Sequence, residues 1–155
     1  SSDLINRVNT TLAKQLALYI CIYSPHHMAA DLPKNYKGHP ALKFIKDVPT
    51  DWEKSMALHG EIGEYVVNVR KDRNSSDWYL GALTNKEERI IRIHLGFLDK
   101  NKKYKAEIYA DSANTNLKNN PTAISITEKV LSNNDTITLY IKGGGGQAIR
   151  FSQLK

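Results

Sequence analysis

The run "LAKQLALYICIY", residues 12–23, limits the fold more than any other stretch of the chain. Thr10 or Thr11 can cap a helix here and Pro25 stops it, so a helix is expected over 10–24. Its apolar residues form no stripe. Leu16, Leu18, Tyr19, Ile20, Ile22 and Tyr23 go all round the cylinder, which is the mark of a helix buried on several sides. Each large apolar side chain left in water forfeits about 1.5–3 kcal/mol. Six of them together would exceed the net stability of a typical domain. The helix therefore needs neighbours on several faces, and the chain is expected to be the C-terminal piece of a longer protein. The alternative is that the helix folds down onto the rest of this chain, which would leave its far face bare.

Beyond the helix the residue pattern changes. Residues 25–50 hold four prolines and one glycine, and are expected as loop with one helical turn around "PALKFIK". From Glu64 the apolar period changes from about four to two. Seven strands are expected, over 64–70, 78–84, 89–95, 104–111, 122–131, 136–141 and 147–153. Ile137, Leu139 and Ile141 would face inward, and Thr136, Thr138 and Tyr140 outward. Short strands at regular spacing, separated by polar turns, predict a mainly β chain ending in an antiparallel β-sandwich. The boundary between the two parts falls in "EKSMALHGEIG", residues 53–63.

Bulk composition narrows the functional classes. The 155 residues are 41% hydrophobic and 25% charged, a globular balance. The net charge of +6 is spread among acidic residues, as in "RKDRNSSD" and "NKEERIIR". Its densest cluster, Lys100, Lys102, Lys103 and Lys105, falls in a turn, so no nucleic-acid interface is expected. "SSDLINRVNTT" has no apolar run of the kind a secretory signal needs, and helix 12–23 is too short to span a bilayer. Cys21, the single cysteine, is expected as a buried free thiol.

Several motifs invite chemistry. "KGGGGQ", residues 142–147, has a strand after it where a phosphate loop needs a helix and a Lys–Ser/Thr pair, so it is expected to be a hairpin turn. His26 and His27, with Asp31, lack metal-ligand spacing. Glu61 with Glu64 and Asp51 with Glu53 are carboxylate pairs at the junction, where solvated residues are the ordinary case. Trp52, Trp78, Tyr79, Tyr104 and Tyr109 could stack sugars. Trp78 and Tyr79 are adjacent in a strand, so one is expected in the core and the other at the surface. The sequons at Asn9, Asn74 and Asn134 matter only in a glycosylating host.

The pieces "AKQLALY", "YSP", "MAADLP", "FIKDVPTDW", "GEIGEY" and "DWYLGALTN" closely resemble the C-terminal region of glycoside hydrolase family 97, bacterial α-glucosidases and α-galactosidases. The likeness runs from about Arg7 to Phe151, with His26–His27 standing where the family more often has Leu–Gln or Ile–Gln. It implies an N-terminal β-supersandwich, a catalytic β/α barrel and a C-terminal β-sandwich. Residues 1–56 would then be the end of the barrel, with "DVPTDW" its final strand, and residues 57–155 the accessory sandwich associated with oligomerisation. The family's catalytic carboxylates and calcium ligands lie upstream. The resemblance thus assigns no catalytic, substrate-binding or metal-ligating residue to this chain, which is expected to be inactive alone. It implies calcium in the parent, an oligosaccharide or polysaccharide substrate, a possible homo-oligomer and a periplasmic setting. Retaining and inverting members both exist. A free-standing carbohydrate-binding or oligomerisation module is the rival reading.

Overall fold

The computed structural model describes residues 11–21, 40–49, 51–61, 64–112 and 123–155. Two helices, α1 (Leu12–Cys21) and α2 (Leu42–Asp47), precede eight strands. The strands are β1 (Trp52–Glu61), β2 (Tyr65–Asp72), β3 (Trp78–Thr84), β4 (Arg89–His94), β5 (Lys103–Asp111), β6 (Ile124–Ser132), β7 (Thr136–Ile141) and β8 (Gly146–Gln153). Thr11 caps α1 by accepting a hydrogen bond from the Lys14 amide at 3.2 Å. Pro25, the expected stop, lies outside the described residues, as do His26, His27 and Asp31.

Six strands form one sheet in the order β1-β2-β3-β8-β5-β6, and β4 and β7 form a second. Every pairing is antiparallel. The sheets close on one core. Val67, Val69, Leu80, Ile149 and Phe151 from the larger sheet meet Ile91, Ile93, Ile137, Leu139 and Ile141 from the smaller. The expected alternation along β7 holds: Ile137, Leu139 and Ile141 are buried, while Thr136 and Tyr140 are exposed. Phe97, from the turn after β4, wedges between Trp78 and Phe151 at ring distances of 5.3 and 5.7 Å.

Three features depart from the sequence expectations. Strand β1 was not among the seven expected. Lys54, Ser55, Met56 and Ala57 are all exposed, so this edge strand carries no inside-outside period to read. The run "DVPTDW" is not a barrel strand here. Asp47 closes α2, and Trp52 opens β1, whose neighbour is β2. Third, α1 has a partner within this chain. It lies on the outer face of the six-stranded sheet, against β3 and β8, and none of its ten residues is exposed.

Small residues permit that docking. A Cβ on Gly81 would stand 2.7 Å from the Ala17 carbonyl oxygen, 2.9 Å from Ile20 Cβ and 3.1 Å from Cys21 Sγ. A Cβ on Gly146 would stand 2.7 Å from Lys14 Cα. The helix backbone thus rests on two glycines of adjacent strands. Around that contact Leu12, Leu16, Tyr19 and Ile20 pack with Phe44 and Ile45 of α2 and with Tyr79, Tyr109 and Ala148 of the sheet, forming a second core. Phe44 meets Tyr109 and Tyr79 edge-on at 5.1 and 5.9 Å.

Charge holds α2 beside it. Arg150 on β8 bonds Asp77 Oδ2 at 2.9 and 3.2 Å, Asp47 Oδ2 at 3.2 Å and Glu107 Oε1 at 3.3 Å. Lys43 of α2 completes the ring, to Asp47 at 2.7 Å and to the buried Glu107 at 3.1 Å. Burial disfavours the Arg150 charge, but the hydrogen bond from Arg150 to Asp77 and the surrounding charges outweigh it and raise the guanidinium pKa further. The Tyr79 hydroxyl donates to the Asp47 carbonyl at 2.9 Å, tying the last turn of α2 to β3.

Two outcomes test this layer. Gly81→Ala should push α1 off the sheet and cost about 1–3 kcal/mol. It should also speed alkylation of Cys21, whose thiol burial pushes up to about 12 and which should therefore react slowly at pH 8 in the wild type. An unchanged melting temperature with a still-protected thiol would contradict the docking. Arg150→Met removes the shared partner of three carboxylates, and should lower stability by about 1.5–3 kcal/mol in urea titration. A neutral result would mean that the ring does not hold α2.

Candidate interaction surface

The described carboxylates at the junction are engaged as structural ion pairs. Asp51 bonds Arg73 at 2.9 Å, Glu53 pairs with Lys71 at 3.3 Å and Glu64 with Arg89 at 3.3 Å. Glu61 closes β1. These pairs lie along β1, β2 and β4 and do not face one another across a cleft. Among the described residues, no group of three or more His, Cys, Asp or Glu side chains is arranged to hold a metal ion. The described residues thus gather no side-chain cluster for the calcium that the resemblance implies in the parent.

The aromatic residues that suggested sugar stacking are consumed by packing. Trp78, Tyr79, Tyr104 and Tyr109 are 3%, 1%, 0% and 2% exposed. Trp78 and Tyr104 lie between the sheets, and Tyr79 and Tyr109 lie under the helices. These four buried rings offer no platform for a sugar, which removes the main support for a carbohydrate-binding module. The expectation that one of Trp78 and Tyr79 decorates the surface fails because both faces of β3 are covered. Trp52 is half-buried, stacked edge-on against Tyr79 at 5.5 Å with the Arg70 guanidinium 5.7 Å from its ring.

The glycine run connects β7 to β8 but is not the expected hairpin turn, because β7 pairs with β4 and β8 with β3 and β5, so the run crosses from one sheet to the other. Gly144 has φ 72°, and the Gly145 amide bonds the Lys142 carbonyl at 2.8 Å. The turn packs on Asp111 at the end of β5. Burial pushes the Asp111 carboxyl above its usual range, and the neighbouring Thr11 hydroxyl and Gly146 and Lys142 amides partly oppose that shift. Lys14 of α1 donates to the Thr84 carbonyl at 3.0 Å, and burial lowers its pKa. This corner joins α1, β3, β5 and the turn, and it is structural.

The outer side of the β4–β7 ribbon is open. Ile90 and Tyr140 are directly paired across the two strands and are 70% and 67% exposed. Arg92 and His94 continue the exposed row along β4, and Glu88 precedes it. Sequence alternation placed Tyr140 outward. The signal for Ile90 was its position opposite Tyr140, which needs the pairing register.

Comparison with known proteins agrees with this architecture. The family model described as glycosyl-hydrolase 97 C-terminal, oligomerisation, matches residues 51–152. A retaining alpha-galactosidase of Bacteroides thetaiotaomicron is 39% identical over 105 residues, covering 67% of this chain and 15% of that protein. A glycoside hydrolase family 97 enzyme from Pseudoalteromonas sp. strain K8, solved in complex with acarbose, superposes with a TM-score of 0.87. It is 46% identical, and the match covers 95% of this chain and 23% of that enzyme. A beta-arabinopyranosidase structure is more distant, at 26% identity and a TM-score of 0.70, with 91% of this chain and 21% of that one covered. The chain thus spans less than a quarter of the length of these relatives. With residues 51–152 matching the family model and the helix layer shared with a solved member, this chain belongs to glycoside hydrolase family 97, as its C-terminal region.

Proposed function

We propose that this chain is the C-terminal part of a family 97 α-glycosidase that hydrolyses α-glucosides or α-galactosides. The carrying observation is the 46% identity and 0.87 TM-score over 95% of the chain with a family 97 enzyme solved with acarbose. The retaining alpha-galactosidase relative supports the galactoside alternative. In this reading the residues before about position 51 are the end of the catalytic barrel. The remainder is an accessory sandwich that also joins copies of the enzyme, a role the matched family description names. The first sheet strand begins at Trp52, which favours that boundary over one at 56/57.

The chemistry belongs to the parent. Glycoside hydrolysis needs one carboxyl to protonate the leaving oxygen and a second as base or nucleophile, about 5–10 Å apart across the sugar. Asp47, Asp77 and Glu107 are instead held in ion pairs around Arg150 and do not face one another across an open cleft. What this chain contributes is mechanical. The helices carry the barrel end, and Arg150, Lys43 and the two glycines fix those helices to the sandwich. Calcium, the polysaccharide substrate and a periplasmic setting are parts of the same proposal and concern the parent.

The test compares the pure 155-residue chain with the parent on aryl α-glucosides and α-galactosides. The parent should hydrolyse at least one of them and the chain neither. Turnover by the chain, or a parent inactive on both, would overturn the reading. Chelation with EDTA should reduce the parent's activity and leave the melting temperature of the isolated chain unchanged. A chain that melts lower in EDTA would mean that it holds a metal of its own.

A further inference from the structure

The sandwich has two broad outer faces, and they differ. The outer face of the six-stranded sheet is covered by α1 and α2. The outer face of the β4–β7 ribbon carries Ile90 and Tyr140, the two most exposed large apolar side chains among the described residues. Directly opposed residues of an antiparallel pair have side chains in contact range, so these two make one apolar knob rather than two scattered residues. Ile126 and Val130 are also exposed, but they flank Glu128 and Lys129 on edge strand β6. Charges at that position keep further strands from adding to an edge.

We infer that the outer face of β4–β7 is where a second copy of this chain docks, about a two-fold axis that crosses the strands at Ile90 and Tyr140. The inference rests on the oligomerisation part of the reading above and adds the surface and its symmetry. The matched description attaches oligomerisation to residues 51–152, which hold the sandwich and exclude α1 and α2.

Charge placement selects the axis. Arg92 stands two residues after Ile90, about 7 Å along β4, and Glu88 stands two residues before it, just ahead of the strand's first residue. A two-fold axis across the strands reverses their direction in the second copy. Ile90 then meets its own equivalent, Tyr140 meets its own, and each Arg92 lies over the partner's Glu88. An axis along the strands would instead set Glu88 over Lys142 of the second copy and leave Arg92 over Thr138, with no charge to meet it. Only the first arrangement gives the exposed Arg92 an opposite charge and sets Ile90 and Tyr140 each on its own equivalent.

Sedimentation velocity of the 155-residue chain over a concentration series tests this, with circular dichroism to confirm folding. The wild type should sediment at twice 17.5 kDa. Ile90→Lys with Tyr140→Thr should give a monomer of unchanged fold. Arg92→Glu should weaken association at least about tenfold by placing like charges together twice, and Glu88→Arg with Arg92→Glu should restore it. Association undiminished in the first two variants would overturn this face while leaving oligomerisation intact. Failure of the charge swap to restore association would overturn the axis. A wild-type chain that stays monomeric at millimolar concentration would overturn oligomerisation itself.

Discussion

The structure depends on one close contact, the backbone of α1 resting on Gly81 of β3 and Gly146 of β8. A sheet with one apolar face can build a sandwich with a second sheet and leave its other face to water. This sheet has two apolar faces. Trp78, Leu80 and Ala82 point to the inter-sheet core, while Tyr79 points to the helices. The second face must be covered, and without the glycines a helix could not come near enough to fill the space around Tyr79, Tyr109 and Ala148. Apolar burial supplies the bulk of the attraction. The ring of Lys43, Asp47, Glu107, Asp77 and Arg150 then sets where α2 sits, because a buried Glu107 is tolerable only with its cations in place.

That arrangement packs the sandwich and the helical segment before it onto one shared core. The matched family model begins at residue 51, yet the core beneath α1 and α2 is made jointly by residues on both sides of that point. These helices are anchored to the sandwich through side chains, and their position does not depend on the connecting loop alone. The opposite ribbon, free of such cover, is the side on which the domain can meet something else.

Much of the fold was legible in the sequence, and the losses have physical causes. Strands β3 and β7 fall at 78–84 and 136–141, as their residue patterns indicate. Alternation along β7 identified both the core residues and the outward Tyr140. Strand β1 shows no period because its middle, Lys54 to Ala57, is exposed on both faces. Tyr79 was misplaced because one covered face was assumed, although "WYLGALT" is an unbroken apolar run of the kind found where both faces are buried. The Arg150 ring gathers residues from positions 43, 47, 77, 107 and 150, and only strand register brings them together. For the same reason the Ile90–Tyr140 knob could not be read from either strand alone. The apolar character of α1 correctly demanded neighbours, but it could not say that two glycines far along the chain would be among them.

The helix layer and the six-stranded sheet should fold as one cooperative unit. Native-state hydrogen exchange of the 155-residue chain measures this directly. Amides in the second half of α1, a helix far too short to persist alone, should exchange as slowly as those of β3 and β8 and through the same global opening. Fast exchange in α1 beside a protected sheet would contradict it, and would mean that the sandwich stands without the helix.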